Sequence, residues 1–307
     1  MLKKRILLAA LLLLSFASGA KELKVLMIGN SFSVCVGKNL PGIVHKEKDS
    51  ILLCSATIGG CSLQRHWDNI RKAEKNPNFK PYTVIVWRSG EKEVRKEKNN
   101  VNSLLKAEKW DIVTIQQASS YSRDFQSYEK PGAELIACIR KHAPQAKIYL
   151  QQTWSYRCDD SRLAKWKIDN KKMYQDLKEA YARFAAIHKL PVIPMGDAVA
   201  LYREKSSVKF TPYKGNRIAK QKGPLPSRKG DPVGRYFWHK DKKTGNFRIR
   251  HDACHLNSEG EYMQGALWYG ILYGKDPAKI TYTPEKMDEK EASFLRSCAS
   301  EAWKKYK

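Results

Sequence analysis

The chain has 307 residues, of which 42% are hydrophobic and 10% aromatic, and its formal net charge is +26. This length and apolar content suit one large domain or two small ones with a sizeable core, and they exclude a wholly disordered chain. The positive charge is concentrated in residues 92–98, 165–172 and above all 205–250. Such a surface attracts polyanions, although a lysine-rich solvated face would have the same composition.

Residues 1–20 have the pattern of a cleaved signal peptide. A basic start precedes an apolar run over residues 6–14, and Ser18-Gly19-Ala20 offers a small-residue cleavage site. The apolar run is too short for a membrane span, and no Cys stands at the cleavage point. We therefore expect an exported protein, periplasmic or extracellular, without a transmembrane anchor.

The seven cysteines allow disulfides in an exported protein, but their odd number leaves at least one thiol unpaired within the chain. Their spacing contains no CxxC pair, which disfavours a zinc knuckle. The pairing cannot be deduced from the spacing.

Strand and helix patterns alternate at least five times before residue 203. Apolar or alternating runs predict strands, and amphipathic stretches predict helices. The predicted strands cover residues 24–28, 51–56, 82–87, 110–115, 147–150 and 191–194. The predicted helices cover residues 34–46, 102–109, 129–142, 163–188, 196–203, 258–273 and 284–303. This alternation indicates a parallel sheet with helices on both faces.

Residues 205–250 interrupt the alternation with a segment rich in Lys, Arg, Gly and Pro. The aromatic cluster Tyr236-Phe237-Trp238-His239 favours an ordered insertion or lid over a flexible basic loop. We divide the chain into a signal peptide (1–20), one domain (21–280) that contains this basic insertion, and a C-terminal helical extension (281–307).

Ser31 follows the first predicted strand, in the stretch Ile28-Gly29-Asn30-Ser31-Phe32-Ser33. A strand that ends this way brings a hydroxyl to the carboxyl edge of the sheet, where open α/β folds bind their ligands. Ser31 is therefore the candidate nucleophile.

Asp252 and His255 are the candidate orienter and general base. They lie three residues apart, so one turn of chain can place both side chains on one face, and Ser258 can cap the helix that follows. A carboxylate beside an imidazole fixes its tautomer and stabilises the imidazolium. Two other interpretations stay open: Asp252 as a helix cap beside an interior histidine, and a metal site formed by His251, Cys254 and His255.

Two further strand ends carry groups that suit an oxyanion site. Gly59-Gly60 follows the second predicted strand and allows a backbone N–H to approach a ligand, although a plain turn has the same sequence. Gln116-Gln117 follows the strand over residues 110–115 and offers side-chain amides.

In chain order, the four candidate groups are Ser31, Gly59-Gly60, Gln116-Gln117 and the Asp252/His255 pair. Together, and in this order, they resemble the sequence blocks of the SGNH (GDSL-like) hydrolase superfamily. The first block is similar around Ser31, with Asn30 where the name-motif has Asp, and the last block matches Asp252 and His255. The third block usually carries GxND, whereas this chain has glutamines. That departure resembles a glutamine-bearing subset, which includes the exported bacterial group called domain of unknown function 4886 and sialate O-acetylesterase-like enzymes.

The resemblance implies a three-layer α/β/α sandwich of the flavodoxin-like kind, with a central parallel sheet of about five strands. It also implies that Ser31 attacks an ester carbonyl, with the Ser31 and Gly60 N–H groups and the Gln116 amide around the oxyanion. Gly59 and Gln117 are the alternatives in the second and third blocks. No metal or organic cofactor is implied.

The expected function is a secreted serine esterase that removes an acyl group, acetyl in the first place, from a carbohydrate. Gln152, Trp154, Trp67 and the aromatic cluster of the insertion are candidates for lining the substrate cleft, because aromatic faces suit sugar rings. An anionic polysaccharide would suit the charge, and nucleic acid is not expected. The alternatives are a lipid or thioester hydrolase on the same triad and a non-catalytic protein that binds polyanionic glycans.

Overall fold

The computed structural model describes residues 21–306, and the predicted signal peptide lies outside them. A seven-stranded sheet with the order β4-β3-β2-β1-β5-β6-β7 forms the centre of the molecule. Its strands are β1 Leu23–Gly29, β2 Ile51–Thr57, β3 Tyr82–Arg88, β4 Arg95–Asn99, β5 Ile112–Ile115, β6 Lys147–Gln151 and β7 Val192–Ile193. The run from β2 through β1, β5 and β6 to β7 is parallel, whereas β3 and β4 pair antiparallel. The predicted α/β fold with about five parallel strands is confirmed.

Ten α-helices are defined within residues 21–306. They are α1 Ser31–Val34, α2 Leu40–Lys46, α3 Leu63–Lys75, α4 Val101–Ala107, α5 Glu129–His142, α6 Ser161–Lys165, α7 Asn170–His188, α8 Met195–Lys205, α9 Ser258–Tyr273 and α10 Glu289–Lys304. Helices α2, α8, α9 and α10 pack together as one group, and α3, α4 and α5 as another. A buried sheet covered by helices explains why β1 and β2 are nearly continuous apolar runs. No helix within residues 21–306 combines the length and the apolar character needed to cross a bilayer.

Three local features differ from the predicted elements. The helix predicted over residues 163–188 breaks between α6 and α7, where Lys167 has a φ of 55° and the Asp169 carboxylate caps the new helix. Helix α3 was not predicted, because its core face is carried by few strongly apolar residues. Strand β4 has the sequence RKEKN and is exposed, so it lacks the alternation that marks a half-buried strand.

The basic segment forms a second, three-stranded antiparallel sheet with the order β8-β10-β9. Its strands are β8 Ile218–Ala219, β9 Val233–Lys240 and β10 Phe247–Leu256. Because β10 runs on past residue 250, it also carries Asp252 and His255. The predicted insertion is therefore ordered, and its last strand is part of the candidate site.

A buried ion pair fastens this segment to the main domain. Arg203 at the end of α8 donates from Nε and Nη2 to the Asp231 carboxylate at 2.9 and 3.0 Å, and from Nη1 to Ser155 Oγ at 2.6 Å. The Arg203 side chain is 16% exposed and that of Asp231 4%. Planar, bidentate pairing of this kind fixes the orientation as well as the distance of the two groups.

We expect Arg203→Ala to lower the free energy of unfolding by about 3–5 kcal/mol, because it leaves the buried Asp231 carboxylate without its cation. Urea unfolding measures this loss. Lys205→Ala is the matched control, since its ion pair with Glu301 is exposed and its removal leaves the unfolding midpoint near that of the parent chain. Equal midpoints for both variants would contradict the anchoring role of Arg203.

Candidate active site

Ser31 is the first residue of a short helix at the carboxyl end of β1. The Asn30 side chain caps this helix by accepting a hydrogen bond from Phe32 N–H at 3.1 Å. Gly29 allows the tight turn, because a Cβ there would lie 2.0 Å from Ser33 Oγ. The half-buried Ser31 hydroxyl is thus held at the sheet edge.

Ser31, His255 and Asp252 lie in one line of hydrogen bonds. Ser31 Oγ is 2.7 Å from His255 Nε2, and His255 Nδ1 is 2.8 Å from Asp252 Oδ2. Since a carboxylate only accepts, Nδ1 carries the proton and donates to Asp252. Nε2 is then free to accept the proton of the Ser31 hydroxyl. The structure therefore brings together the three residues that the sequence singles out.

The Asp252–His255 segment is an irregular stretch at the end of β10, and it brings the two side chains together as their spacing predicts. The pairing with β9 shifts between Asp252 and Leu256. Asp252 Oδ1 accepts the backbone N–H groups of Cys254 at 3.0 Å and His255 at 3.1 Å, so the chain curls around this carboxylate. Helix α9 begins later, and its cap is Asn257, which accepts from Gly260 N–H, and not the predicted Ser258.

The electrostatics of the pair favour a charged Asp252 and a basic His255. The hydrogen bond to Asp252 raises the pKa of His255 above its usual range; the Cys254 thiol acts in the same direction, and burial opposes both. Burial acts to raise the pKa of Asp252, but hydrogen bonds from the His255 ring and from two backbone N–H groups outweigh it and hold that pKa well below its usual range.

Phe32 and Trp154 form a rigid wall behind the histidine. Their rings stack at 4.1 Å with an interplanar angle of 4°, and the Phe32 ring meets His255 edge-on at 5.3 Å. Trp154 Nε1 also donates to the Cys254 carbonyl oxygen at 2.8 Å. One indole therefore fixes both the Ser31 turn and the Asp252–His255 segment.

The turn that follows β2 lies beside the Ser31 turn. Cys61 N–H closes it onto the Ile58 carbonyl at 3.2 Å, and Gly60 has a φ of +60°, which favours glycine. Asn30 Nδ2 donates to the Cys61 carbonyl at 3.1 Å and ties the two turns together. Gly60 is exposed, and its N–H has no acceptor among residues 21–306. This N–H is therefore available to a ligand.

Gln116 lies beneath this arrangement. Its Nε2 donates to Asn30 Oδ1 at 2.7 Å, and its Oε1 accepts from Ser33 Oγ at 2.8 Å. Gln117 points away and donates to Ser127. Both glutamines are 1% exposed. Of the two glutamines, Gln116 is therefore the one that contacts the Ser31 turn, through its hydrogen bond to Asn30. Direct donation from Gln116 to an oxyanion stays a prediction, and it requires the hydrogen bond between Gln116 and Asn30 to break.

We expect Gln116→Glu to lower both kcat, by about tenfold or more, and the free energy of unfolding, by about 1–3 kcal/mol, because it removes the N–H that Asn30 accepts in a buried place. Thermal unfolding and ester hydrolysis measure the two effects. Gln175→Glu, at an exposed position on α7, is the control. A loss of about 10²–10³ in kcat with unchanged stability would instead indicate direct oxyanion contact.

The predicted cleft residues are placed differently. Gln152 and Trp154 are 1% and 0% exposed, so neither lines an open cleft. Gln152 Oε1 accepts the Asp197 N–H at the start of α8, and Trp154 has the stacking role described above. Their position just after β6 was correct, but strand-end residues can also turn inward. Trp67 on α3 is half-buried and keeps some exposed surface.

The predicted metal alternative does not assemble as proposed. His251 Nδ1 lies 3.1 Å from Arg217 Nη1, and its Nε2 lies 3.3 Å from the Asp159 carbonyl oxygen, away from His255. Among the described residues, ligand atoms of Asp252, Cys254 and His255 do come within 4.8 Å of one another. Two of these three groups, Asp252 and His255, are already hydrogen-bonded to each other. All seven cysteines lie in the described part of the chain and are free thiols.

Comparison with known proteins agrees with the predicted resemblance. The chain is similar to a DUF4886 family protein from Bacteroides uniformis ATCC 8492, with a TM-score of 0.73, 25% identity, and coverage of 92% of this chain and 94% of that one. It is also similar to a candidate SGNH hydrolase from Slackia heliotrinireducens (TM-score 0.47, 17% identity, 80% and 95% coverage). A third similar structure is a candidate GDSL-like lipase from Parabacteroides merdae ATCC 43184 (TM-score 0.46, 10% identity, 83% and 98% coverage).

No curated protein matches the chain. The family described as "Domain of unknown function (DUF4886)" matches residues 24–209, from β1 to just beyond α8, which is more than half of the chain and includes the candidate groups at Ser31, Gly60 and Gln116. With this match and the Bacteroides uniformis structure, the chain belongs to the DUF4886 family.

Proposed function

We propose that the protein is a serine hydrolase that cleaves carboxylic esters. One observation carries the proposal: Ser31 Oγ, His255 and Asp252 form a continuous line of contacts of 2.7 and 2.8 Å. A nucleophile, a base within hydrogen-bond reach and a group that orients the base are the parts that acyl transfer needs.

In the proposed reaction, His255 Nε2 takes the proton of Ser31 as Oγ attacks the ester carbonyl. The imidazolium then gives this proton to the leaving alcohol, and an acyl-serine remains. Water, deprotonated by the same histidine, attacks the acyl-serine; the bond between Ser31 Oγ and the acyl carbon then breaks, His255 gives the proton back to Oγ, and the acid is released. The half-buried Asp252 carboxylate stabilises the imidazolium in both halves without accepting its proton.

The negative charge on the substrate oxygen needs donors that are already in place. Ser31 is the first residue of α1, so its own N–H has no acceptor within the helix. The exposed Gly60 N–H is the second candidate, and Gln116 holds the Asn30 side chain that joins the two turns. These donors would act together in stabilising the tetrahedral intermediate.

For the substrate, we propose a short acyl group, acetyl in the first place, on a carbohydrate outside the cytoplasm. The secretory pattern of residues 1–20 supports the location, and the half-exposed Trp67 offers an apolar surface for a sugar ring.

A fluorophosphonate probe tests the proposal, because it labels a serine only when a neighbouring base activates it. We expect one adduct, mapped to Ser31 by peptide mass spectrometry, and no labelling of His255→Ala. Comparison of 4-nitrophenyl acetate with the octanoate then separates a short-acyl esterase from a lipid or thioester hydrolase. An unlabelled, folded protein would favour the non-catalytic glycan-binding alternative.

A further inference from the structure

The β9–β10 hairpin presents an exposed row of arginines that ends at the candidate active site. Alternate residues of a strand point to the same face, and directly paired residues of two antiparallel strands share a face. The pairs on the outer face are Arg248 with His239, Arg250 with Phe237, and Asp252 with Arg235. We call the five of these residues other than Asp252 the arginine face: Arg235, Phe237, His239, Arg248 and Arg250.

The two faces of the hairpin differ sharply in burial. All five residues of the arginine face are exposed, with Phe237 40% exposed. On the opposite face, Tyr236 and Ile249 are each 5% exposed, and the Tyr236 hydroxyl lies 3.4 Å from the Asp159 carboxylate of the main domain. The hairpin is therefore held by one side only, and the arginine face is turned to solvent.

The arginines of this face differ from their neighbours in making no side-chain hydrogen bond or ion pair with the residues that the structure describes. Arg203 and Arg228 form ion pairs with Asp231 and Glu259. In contrast, the side chains of Arg235, Arg248 and Arg250 form neither an ion pair nor a hydrogen bond within residues 21–306. Three guanidinium groups on one surface, each with all its donors free, form a site for a chain of anions.

The arginine face and the candidate site are parts of one strand. Strand β10 advances about 3.4 Å per residue, so Arg248 lies about 14 Å from Asp252 along it. An extended polymer bound along the hairpin would thus pass its next units to the Ser31 hydroxyl. The arrangement suits a substrate that carries both repeated anionic groups and an ester.

Among polyanions, the surroundings favour a carbohydrate. A nucleic acid strand offers phosphates but no carboxylic ester for Ser31. A lipid surface offers esters, but interfacial binding needs a broad apolar face, whereas this face of the described three-stranded sheet exposes two large hydrophobic side chains, Phe237 and the Ile218 that pairs with Arg248. A single aromatic ring between arginines is instead suited to a sugar ring with carboxylate neighbours.

We propose that the arginine face binds a carboxylate-bearing polysaccharide and directs its acyl esters to Ser31. The inference rests on the proposed esterase function for the cleavage step, but the binding step is independent of it. It assigns to the basic segment a role in substrate selection, with an acylated polyuronate as the substrate class.

Binding is tested first, with unesterified polygalacturonate and the full-length Ser31→Ala chain. We expect binding that weakens with added salt, and that the double variant R248Q/R250Q weakens by about fivefold, since each exposed charge contact contributes a factor of roughly two to five. R71Q/R95Q removes the same charge from α3 and the far edge strand, where both arginines are exposed, and should bind as the parent does. R248E/R250E should abolish binding, and circular dichroism verifies its fold.

Turnover is tested second, by comparing acetylated polygalacturonate with acetylated xylan, which is neutral. We expect R248Q/R250Q to lower the ratio of kcat/KM for the charged polymer over the neutral one by about fivefold, through KM. Equal ratios in R248Q/R250Q and R71Q/R95Q would overturn the inference. So would binding of an oligonucleotide or of anionic phospholipid vesicles without binding of polygalacturonate.

The two proposals can fail separately. If polygalacturonate binding depends on Arg248 and Arg250 but no ester is cleaved and no probe labels Ser31, the proposed function is wrong and the binding surface stands. If 4-nitrophenyl acetate is cleaved while no charged polymer binds, the esterase stands and the arginine face is not its substrate site.

Discussion

Ser31→Ala is expected to lower kcat for 4-nitrophenyl acetate by about 10⁵-fold or more, to near the background rate. The hydroxyl oxygen is the atom that attacks, and His255 Nε2 has no other proton to take at 2.7 Å. In enzymes of this kind the loss of the nucleophile costs nearly as much as the loss of the whole triad. Initial rates measure the effect, and circular dichroism shows whether the fold is kept.

Two variants make this result specific. Ser297→Ala removes an exposed hydroxyl on α10 that donates to the Phe294 carbonyl oxygen, and it should leave kcat unchanged. His255→Ala should match Ser31→Ala, because the two side chains act as one unit. Retained activity in Ser31→Ala together with its loss in Cys254→Ala would instead identify the thiol beside His255 as the nucleophile.

Asp252→Asn is expected to lower the plateau of kcat by about 10⁴-fold and to move the pH profile. An amide at this place can donate to Nδ1 and so favour the wrong tautomer of His255. The carboxylate also raises the pKa of His255 in the parent protein. Because the base works only when unprotonated, kcat/KM rises as the pH rises through this pKa, which lies above the ordinary value of about 6.5.

The sign of the shift follows from the charge that is removed. Without the anion, the imidazolium is less stable, so the pKa of His255 falls and the rising limb of the profile moves to lower pH. Asp68→Asn removes an exposed carboxylate on α3 and should change neither the maximal kcat nor the pH at which kcat/KM rises. A profile for Asp252→Asn with the parent's plateau and limb would show that Asp252 does not orient the base.

The outline of the fold was accessible to sequence patterns because the buried parallel strands are short apolar runs. Strand β1 is such a run, and the predicted bounds of helices α5 and α9 agree with the structure. The sequence patterns predict neither helix α3 nor strand β4. Helix α3 is mostly polar, and β4 lies at a solvated edge, so neither has the apolar periodicity on which such predictions depend.

Within the site, chain order was enough to nominate Ser31, Asp252 and His255, since the ends of parallel strands meet at one edge. It could not assign the direction of a side chain. Gln116, Gln152 and Trp154 all follow strands, yet each turns inward to a buried partner: Asn30, the α8 backbone and Phe32, respectively. Phe32 was not singled out, although its place next to Ser31 was a signal for a wall beside the base.

The basic segment shows a related limit. Its composition shows how many charges it carries but not which of them form ion pairs. In the structure Arg228 forms an ion pair with Glu259, whereas the arginines of the arginine face form none with the described residues. That division depends on the register of β9 with β10, which brings Arg235 opposite Asp252. Register comes from tertiary packing, and no local pattern in residues 205–250 reveals it.

Ser31 and His255 are 224 positions apart: Ser31 lies just after the first strand of the main sheet, and His255 lies on the last strand of the small sheet. During synthesis the nucleophile leaves the ribosome early and its base very late. A nascent or truncated chain that ends before β10 therefore lacks the candidate base for Ser31, and we expect it to have no hydrolytic activity. In the proposed reaction Ser31 gains its base only when the hairpin docks, so hydrolytic activity would report the completion of folding.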